Sequence, residues 1–307
     1  MTELILPDAF SETGDPRAHG ERADTASRRR GAASVPHTLR AVVSAPGLVI
    51  SALIIALVIA WAFAPGVFAH SDPLTGRVTE RLQAPSAQHL FGTDNLGRDL
   101  WARVVYGSAQ SLAASFLAVV LALAVGSALG LLAGFLRGLV DDVIMRVMDV
   151  VLAIPSVLLS LAIITALGFG TVNVAVAVGF ASAASFARIM RSEVISISTA
   201  LYVEAARASG VRWHTVLRRH VLPNAVGPVL ALAALEFGTA VLAISSLSFL
   251  GFGAPPPAPE WGALISEGRN YLATSWWLTT FPGLVIVAVV LAANRISRAF
   301  EKNGGAR

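Results

Sequence analysis

Six long apolar stretches constrain this chain more than any other feature, because a helix needs about 20 apolar residues to cross a bilayer. The fourth stretch is short and rich in alanine and glycine, so its pattern is the weakest. The six stretches cover residues 47–68, 112–136, 145–167, 172–187, 226–250 and 279–296. The sequence therefore predicts an all-α integral membrane protein with six transmembrane helices.

Small residues and proline suggest how the spans are shaped. Gly126, Gly130 and Gly134 recur every four residues in the second span, and such a ridge permits close helix contact. Pro155 lies within the third span and predicts a kink there. Asp149 stands three residues after Arg146, so these two side chains are expected to pair along one helix face.

Arginines flank the spans unevenly and predict their orientation. They precede the first span, fill the loop between the fourth and fifth, and follow the sixth. With six spans these three regions lie on one side, which the positive-inside rule makes cytoplasmic. Both termini are then cytoplasmic.

The same pattern divides the chain into four parts. The predicted parts are a disordered cytoplasmic tail (1–45), a first helix with its outer loop (46–108), a core of five helices (109–298, with a loop at 188–223) and a C-terminal cytoplasmic tail (299–307).

The composition argues against an enzyme. Hydrophobic residues make up 55% of the chain and charged residues 14%, against about 25% charged in soluble domains. The absence of cysteine excludes disulfides and thiolate chemistry. A phosphate-binding P-loop needs a lysine, but Lys302 is the sole lysine and no glycine-rich loop precedes it. No catalytic residue, metal site or cofactor site is predicted, and nucleic acid is not an expected partner.

The loop between the fourth and fifth spans is about 36 residues long, far beyond a simple connection. A helix-forming run from Glu204 to Arg207 precedes a stop at Gly210, and a second helical piece is predicted to end at Pro223. Small side chains would let another surface approach, and Glu204 and Arg207 offer charge-assisted contacts. The pattern fits a docking element, but it also fits a solvated amphipathic loop resting on the membrane.

Several segments, in order, resemble one family. Glu204-Ala-Ala, Gly210 and Leu222-Pro223 resemble the EAA loop of ABC importer permeases. More specifically, the chain resembles the second, C-type permease of the dipeptide, oligopeptide and nickel importers. His220 departs from the pattern, which has isoleucine there. The further matching blocks are 89–99 (HLFGTDNLGRD), 145–149 (MRVMD) and 247–253 (LSFLGFG) with Trp261-Gly262.

The resemblance implies a type I ABC importer permease architecture with a cytoplasmic EAA coupling loop. It implies a bacterial inner-membrane subunit that works by alternating access, with di- or oligopeptides as the expected cargo. The implied partners are a second permease, two ATPase subunits or one fused ATPase that bind ATP and Mg, and a substrate-binding protein. The implied ATPase-coupling residues are Glu204, Ala205, Ala206, Arg207, Gly210, Leu222 and Pro223.

Two other groups are candidates for function. Glu236 lies within the fifth span, where a charge is costly and should face protein or water. It either lines the translocation pathway or is a neutral or hydrogen-bonded structural group. The second group precedes the second span and could serve gating or partner docking, with its last member able to cap a helix. Its members are Thr93, Asp94, Arg98 and Asp99.

Two alternative functions stay open on the residues alone. An ion-gradient-driven secondary transporter would be expected to carry several intramembrane ionisable residues and internal repeats. A structural or regulatory membrane subunit would have no pathway. The sequence shows no convincing repeat and one acid near mid-bilayer, so the importer permease is favoured.

Overall fold

A computed structural model of the protein describes residues 46–304, and no β-strand longer than a single bridge forms in this part of the chain. The predicted tail at 1–45 and the last three residues lie outside it. The helices are α1 (Pro46–Phe63), α2 (Pro65–Phe68), α3 (Leu100–Leu136), α4 (Leu139–Ala153), α5 (Ser156–Leu167), α6 (Thr171–Ser198), α7 (Leu201–Ala208), α8 (Trp213–Val216), α9 (Leu222–Phe249), α10 (Trp261–Gly268) and α11 (Trp277–Gly304). Short 3₁₀ turns occur at Val78–Glu80 and Arg269–Tyr271, and a π-helical turn at Leu217–Val221 joins α8 to α9.

The described helices account for the predicted membrane spans. Five of them, α1, α3, α6, the continuous α8–α9 segment and α11, are long and apolar enough to cross a bilayer. The sixth crossing is a broken one, because α4 and α5 meet at 98° and qualify only as a pair. Pro155, expected to kink a single helix, instead stands at this break. The protein is an all-α integral membrane protein.

Several span boundaries differ from the sequence-based expectation. The first helix stops at Phe63, because Pro65 begins the separate short helix α2. The second begins at Leu100 rather than 112, so the boundary expected at 108 falls inside α3. Asp99 caps this helix as expected, accepting a hydrogen bond from the Ala102 N–H at 2.8 Å. A search for apolar, lipid-facing stretches misses the first turns of α3, because Leu100 and the turns after it are buried in protein.

The glycine ridge explains why the fourth span looked weak. A Cβ atom at Gly126 or Gly130 would collide with the carbonyl oxygens of Ala183 or Ala187 on α6. Because these positions have no side chain, α3 and α6 pack backbone to backbone along their length. The small residues of α6 therefore serve helix packing, and the helix is a full 28 residues long.

Ion pairs join α4 to α6 and correct the expected local pairing of Asp149. Asp149 pairs with Arg188 at 2.7 Å and not with Arg146. Arg191 donates from Nε and Nη2 to the two carboxylate oxygens of Asp141, at 2.5 and 2.6 Å. The partners lie 39 and 50 residues apart in sequence, so helix periodicity could not indicate them. These pairs connect the first half of the broken span to the end of α6.

The two ends of the helix assembly differ in construction. Residues 64–99, the loop after α9 and the helix α10 meet at one end, which we call the 64–99 end. Helices α7 and α8 and the π-helical turn lie at the other, the α7 end. Their apolar side chains pack into a core formed with α3, α6 and α9. Each end carries one of the candidate groups of residues.

Candidate functional site

Helix α7 presents the expected coupling residues on an exposed surface. The side chains of Glu204 and Ala205 are exposed, and that of Ala206 is half-buried. Arg207 lies in the same helix. On the other face of α7, Val203 is completely buried in the core at the α7 end. The helix is therefore held by one apolar contact and offers its acidic and small residues outward.

Gly210 forms the turn that follows α7. Its φ angle is +78°, a left-handed conformation that favours glycine, and a Cβ atom there would meet nothing within 4 Å. The glycine is thus required by backbone conformation and by nothing else in the described chain. The open space around it leaves room for another surface to approach the backbone.

Pro223 does not end a helix. It is the second residue of α9, and α8 continues into α9 through the π-helical turn. The expectation of a helical piece ending at Pro223 was wrong, because the helical segment runs from Trp213 to Phe249 without a stop at this proline. Leu222 is half-buried and Pro223 exposed, so the Leu-Pro pair lies where the loop enters the membrane-spanning helix.

The segment around α8 is tied to the helix assembly by aromatic contacts. Trp213 packs at 5.8 Å from the ring of Phe135 at the end of α3, and Val216 is fully buried. His220, the departure from the EAA pattern, lies 6.2 Å from the ring of Tyr202 and so bridges the π-helical turn to α7. Packed side chains therefore connect α7 and α8 to α3 and α9.

At the 64–99 end, the second candidate group is buried. Thr93, Asp94, Arg98 and Asp99 expose at most 8% of their surface. Thr93 accepts the backbone N–H of Gln83, donates to the carbonyl of Glu80, and its own carbonyl accepts from Trp277 Nε1. Asp99, besides capping α3, lies 2.8 Å from His89 Nδ1. These residues build the loop and have little surface left to contact a partner.

Four charged residues at this end form what we call the charge clasp: Asp94, Arg98, Arg103 and Glu267. Asp94 Oδ2 accepts from Arg98 Nε at 2.6 Å and from Arg103 Nη1 at 2.9 Å. Glu267 Oε2, on α10, accepts from Arg98 at 3.1 Å and from Arg103 at 2.6 Å. The clasp joins the 64–99 loop to α3 and α10. Sequence reasoning missed Arg103 and Glu267, since they are 164 residues apart.

Glu260 fixes the start of α10. It is completely buried and caps the helix, accepting hydrogen bonds from the N–H groups of Gly262 and Ala263 at 3.1 and 3.0 Å. Burial raises the pKa of its carboxyl group, while the capping bonds and the hydroxyls of Ser248 and Ser111 oppose that rise. The cap and the clasp thus hold both ends of a helix that follows the proline-rich loop.

Glu236 lies on α9 beside a small cavity among the helices. Its side chain is half-buried, and Ser182 on α6 is its hydrogen-bonding neighbour. Ala118, Ala122 and Ala240 line the same cavity. Among the described residues no cluster of histidine and acidic side chains could hold a metal ion. The carboxyl group is thus placed against a hydroxyl and small side chains, not against a basic partner.

The sequence of the helical core matches a known family. Residues 126–303 match the family described as "Binding-protein-dependent transport system inner membrane component", more than half of the chain. The chain belongs to this family. It is therefore a permease subunit of an ABC importer in the inner membrane, and the two alternatives raised by the sequence give way to this reading.

Curated relatives extend the similarity beyond the core. The permease is 39% identical over 249 residues to the dipeptide transport system permease protein DppC of Alkalihalophilus pseudofirmus, covering 81% of this chain and 80% of the relative. It is 40% identical to the probable D,D-dipeptide transport system permease protein DdpC of Escherichia coli K12, covering 81% and 84%. It is 45% identical to the glutathione transport system permease protein GsiD of Shigella flexneri, covering 68% and 69%.

Solved structures show the same fold. The methionine ABC transporter MetNI in an inward-facing conformation superposes with a TM-score of 0.53 at 20% identity, covering 64% of the permease and 96% of that chain. An amino acid ABC transporter determined with histidines gives a TM-score of 0.52 at 18% identity, covering 66% and 94%. The fold is that of an ABC importer permease, a family whose ATPase is a separate subunit.

Proposed function

We propose that this permease carries peptides across the inner membrane and is driven through α7 by a separate ATPase. The relatives named above are permeases for a dipeptide, a D,D-dipeptide and glutathione, all of which are small peptides. They match more than two thirds of the chain at 39–45% identity. This agreement across three relatives supports a peptide rather than another small solute as cargo.

One observation carries the coupling role. Helix α7 is anchored by buried Val203 and exposes the face that bears Glu204, and the space beside Gly210 is empty. A docking element needs this combination, because it must transmit force to its own chain while keeping its contact groups free. A loop resting on the membrane would need an apolar outward face, and Glu204 does not fit that role.

The orientation and partners follow from this role. We place the α7 end in the cytoplasm, together with both termini, since Arg188, Arg191, Arg212, Arg218 and Arg219 lie there. Two ATPase domains, separate or fused, would bind ATP and Mg and engage α7 and its counterpart on a second permease. A substrate-binding protein would dock at the 64–99 end.

The buried residues at the 64–99 end have a supporting role in this scheme. Thr93, Asp94, Arg98 and Asp99 would hold the loop in the shape that the substrate-binding protein meets, and would act on transport through that shape. Their burial supports positioning rather than direct contact. The exposed side chains of the same loop, Leu74, Val78, Leu90 and Leu96, would then be the contact residues.

Variants at Gly210 and Glu204 test the coupling role. Gly210→Asn keeps a residue that tolerates positive φ yet adds a side chain, whereas Gly210→Ala adds backbone strain of about 1 kcal/mol with minimal bulk. Because nothing in the described chain lies within 4 Å of a Cβ atom at this position, loss of stimulation in Gly210→Asn would indicate a clash with a partner. We expect Gly210→Asn and Glu204→Arg to lower peptide-stimulated ATPase activity of the reconstituted complex about tenfold or more.

The control and the contrary result are clear. Ser196→Ala, an exposed position on α6 at the same end, should leave stimulation near the wild-type level if the docking face is centred on Glu204. Membrane insertion, followed by the yield of this chain, should be unchanged in all four variants. Normal stimulation in Gly210→Asn together with loss in Gly210→Ala would assign Gly210 to backbone shape alone and remove the docking interpretation.

A further inference from the structure

A hydroxyl-lined cavity opens between α5, α6 and α9. Ser156 and Ser160 reach it from α5, Ser182 from α6 and Thr239 from α9. Ser182 also borders the neighbouring cavity that contains Glu236. The hydroxyl groups and the carboxyl group therefore form one continuous polar lining, and nothing in the charge clasp or in α7 accounts for it.

We propose that this lining is where the substrate contacts the permease during transit, and that it selects solutes with a protonated amine. The inference rests on the proposed transport of peptides and adds the chemistry of the contact. The Glu236 carboxylate supplies the negative charge, and the serine and threonine hydroxyls supply hydrogen-bond partners for amide groups. A short peptide with a free N-terminus carries both features.

The position of these side chains excludes lipid as their surroundings. Ser156 and Thr239 are exposed on the surface of this chain, although both lie within membrane-spanning segments. A polar group in hydrocarbon is costly, so such residues face protein or water. The middle of the last span shows the contrast, since its exposed side chains Leu284, Val287 and Leu291 form an apolar stripe. The hydroxyl face therefore borders protein or water, and the proposed path gives it water.

The spacing on α9 places the groups on one face. Glu236 is followed by Thr239 and Ala240, then by Ala243 and Leu247, in steps of three or four residues, which brings them to one side of a helix. Ala240 and Ala243 are small. The helix therefore presents a carboxyl group and a hydroxyl on the same face, beside small side chains.

The break at Pro155 brings the α5 hydroxyls to the same place. Helix α5 begins at Ser156 after the 98° bend, so Ser156 and Ser160 lie in its first two turns, next to the break. The Ser160 hydroxyl donates to the Ser156 carbonyl at 2.8 Å and so faces the cavity as an acceptor. An acceptor-rich lining with one carboxylate suits an N–H-rich, positively charged group.

No basic side chain counters the carboxylate. Helices α5 and α9 contain no lysine or arginine, and those of α6 begin only at Arg188, beyond the cavity. A carboxylate without a basic neighbour makes the local potential of a water-lined path negative and draws cations to it. The lining therefore favours cations over anions.

The test uses the absence of cysteine from the chain. Thr239→Cys and Ser156→Cys each give it a single thiol, in the assembled complex reconstituted in liposomes. Labelling of this chain is followed with two methanethiosulfonates, one bearing trimethylammonium and one bearing sulfonate. The same thiolate attacks both reagents and displaces methanesulfinate from each, so their rate ratio, corrected for a free-thiol standard, reports the local potential and not the thiol pKa. The matched control is Val287→Cys, on the apolar stripe.

We expect both cavity thiols to react, with the cationic reagent about tenfold faster at residue 239. Adding Glu236→Gln should bring the two rates within about twofold of each other, and Val287→Cys should stay unlabelled in lipid. Protection of both cavity thiols throughout ATP turnover would overturn the aqueous path. Equal rates for the cationic and the anionic reagent would show that Glu236 only forms a hydrogen bond with Ser182. That result would overturn the amine selectivity.

Transport assays separate this inference from the function it rests on. The probes are dialanine and its N-acetylated form, which lacks the amine. Wild type should prefer dialanine, and Glu236→Gln should lose that preference, which uncharged hydroxyls cannot restore. Glu204→Arg should lose transport of both probes yet keep the labelling ratio. A wild type that transports neither probe would count against peptides as cargo, while an intact labelling ratio would still uphold the cationic path.

Discussion

The charge clasp and helix α7 use charged residues in opposite ways at the two ends of one molecule. In the clasp, Arg103 is 1% exposed and Asp94 is 3% exposed, and each has its partners within the chain. On α7, Glu204 is exposed and forms no ion pair with any of the described residues. The clasp is complete in the single chain, whereas α7 is left open.

This difference separates structural charge from functional charge better than sequence motifs do. Both regions belong to blocks that resemble the family pattern, and both are rich in acids and arginines. A buried ion pair is costly to break, because the remaining charge loses its partner without regaining water. An exposed acid on an anchored helix costs little to change and is free to meet another surface. The two regions should therefore fail in different assays.

The largest effect is expected from Arg103→Ala in the clasp. The change leaves Asp94 with one arginine fewer and Glu267 without its 2.6 Å partner, so we expect a loss of about 3–5 kcal/mol in stability. Thermal unfolding of the assembled complex in detergent, followed by tryptophan fluorescence, measures it. If the variant misassembles, the yield of the complex reports the same loss.

The matched change at the other end is Glu204→Ala. It removes an exposed side chain, so stability should stay within about 0.5 kcal/mol of wild type while ATPase coupling falls. The comparison between the two ends breaks if Arg103→Ala leaves the unfolding midpoint unchanged, or if Glu204→Ala lowers it as much. Either result would mean that burial in the single chain does not identify structural charge here.

An intermediate effect is expected from Val203→Ala, which loosens α7 without touching its outward face. Val203 is fully buried, so the change should cost about 1–3 kcal/mol through lost contacts and a small cavity. Because the anchor transmits motion to α3 and α9, ATP hydrolysis should continue while peptide no longer stimulates it. Ser196→Ala, at an exposed position on α6, is the control, and equal uncoupling in both variants would refute the anchor.

The sequence predicted the helical membrane fold well, because apolar length is a local signal. It also indicated α7 and the turn at Gly210, where helix-forming residues precede a glycine stop. The broken span was anticipated only as a kink at Pro155, since one proline does not specify a 98° bend. The sequence predicted a helix end at Pro223, although proline is also tolerated in the first turn of a helix.

Ion pairs between residues far apart in the sequence could not be predicted from the sequence. Arg103 and Glu267, like Asp149 and Arg188, are brought together by helix packing and not by spacing along the chain. The expected pairing of Asp149 with Arg146 followed a sound local rule that tertiary contact overrode. One signal for the clasp was available: an arginine in the first turns of a membrane helix needs a buried partner.

The smallest effect is expected from the ion pair between Asp149 and Arg188, which lies nearer the α7 end. Its side chains are 65% and 57% exposed, so solvent screens the pair and its contribution should be at most about 1 kcal/mol. A double-mutant cycle with Asp149→Asn and Arg188→Gln measures the coupling, and raising the salt concentration should abolish it. The same cycle on Asp94 and Arg103 should give a larger coupling that survives salt, because that pair is buried. Equal salt sensitivity of the two pairs would show that water reaches the clasp, and the contrast between the two ends would then rest on α7 alone.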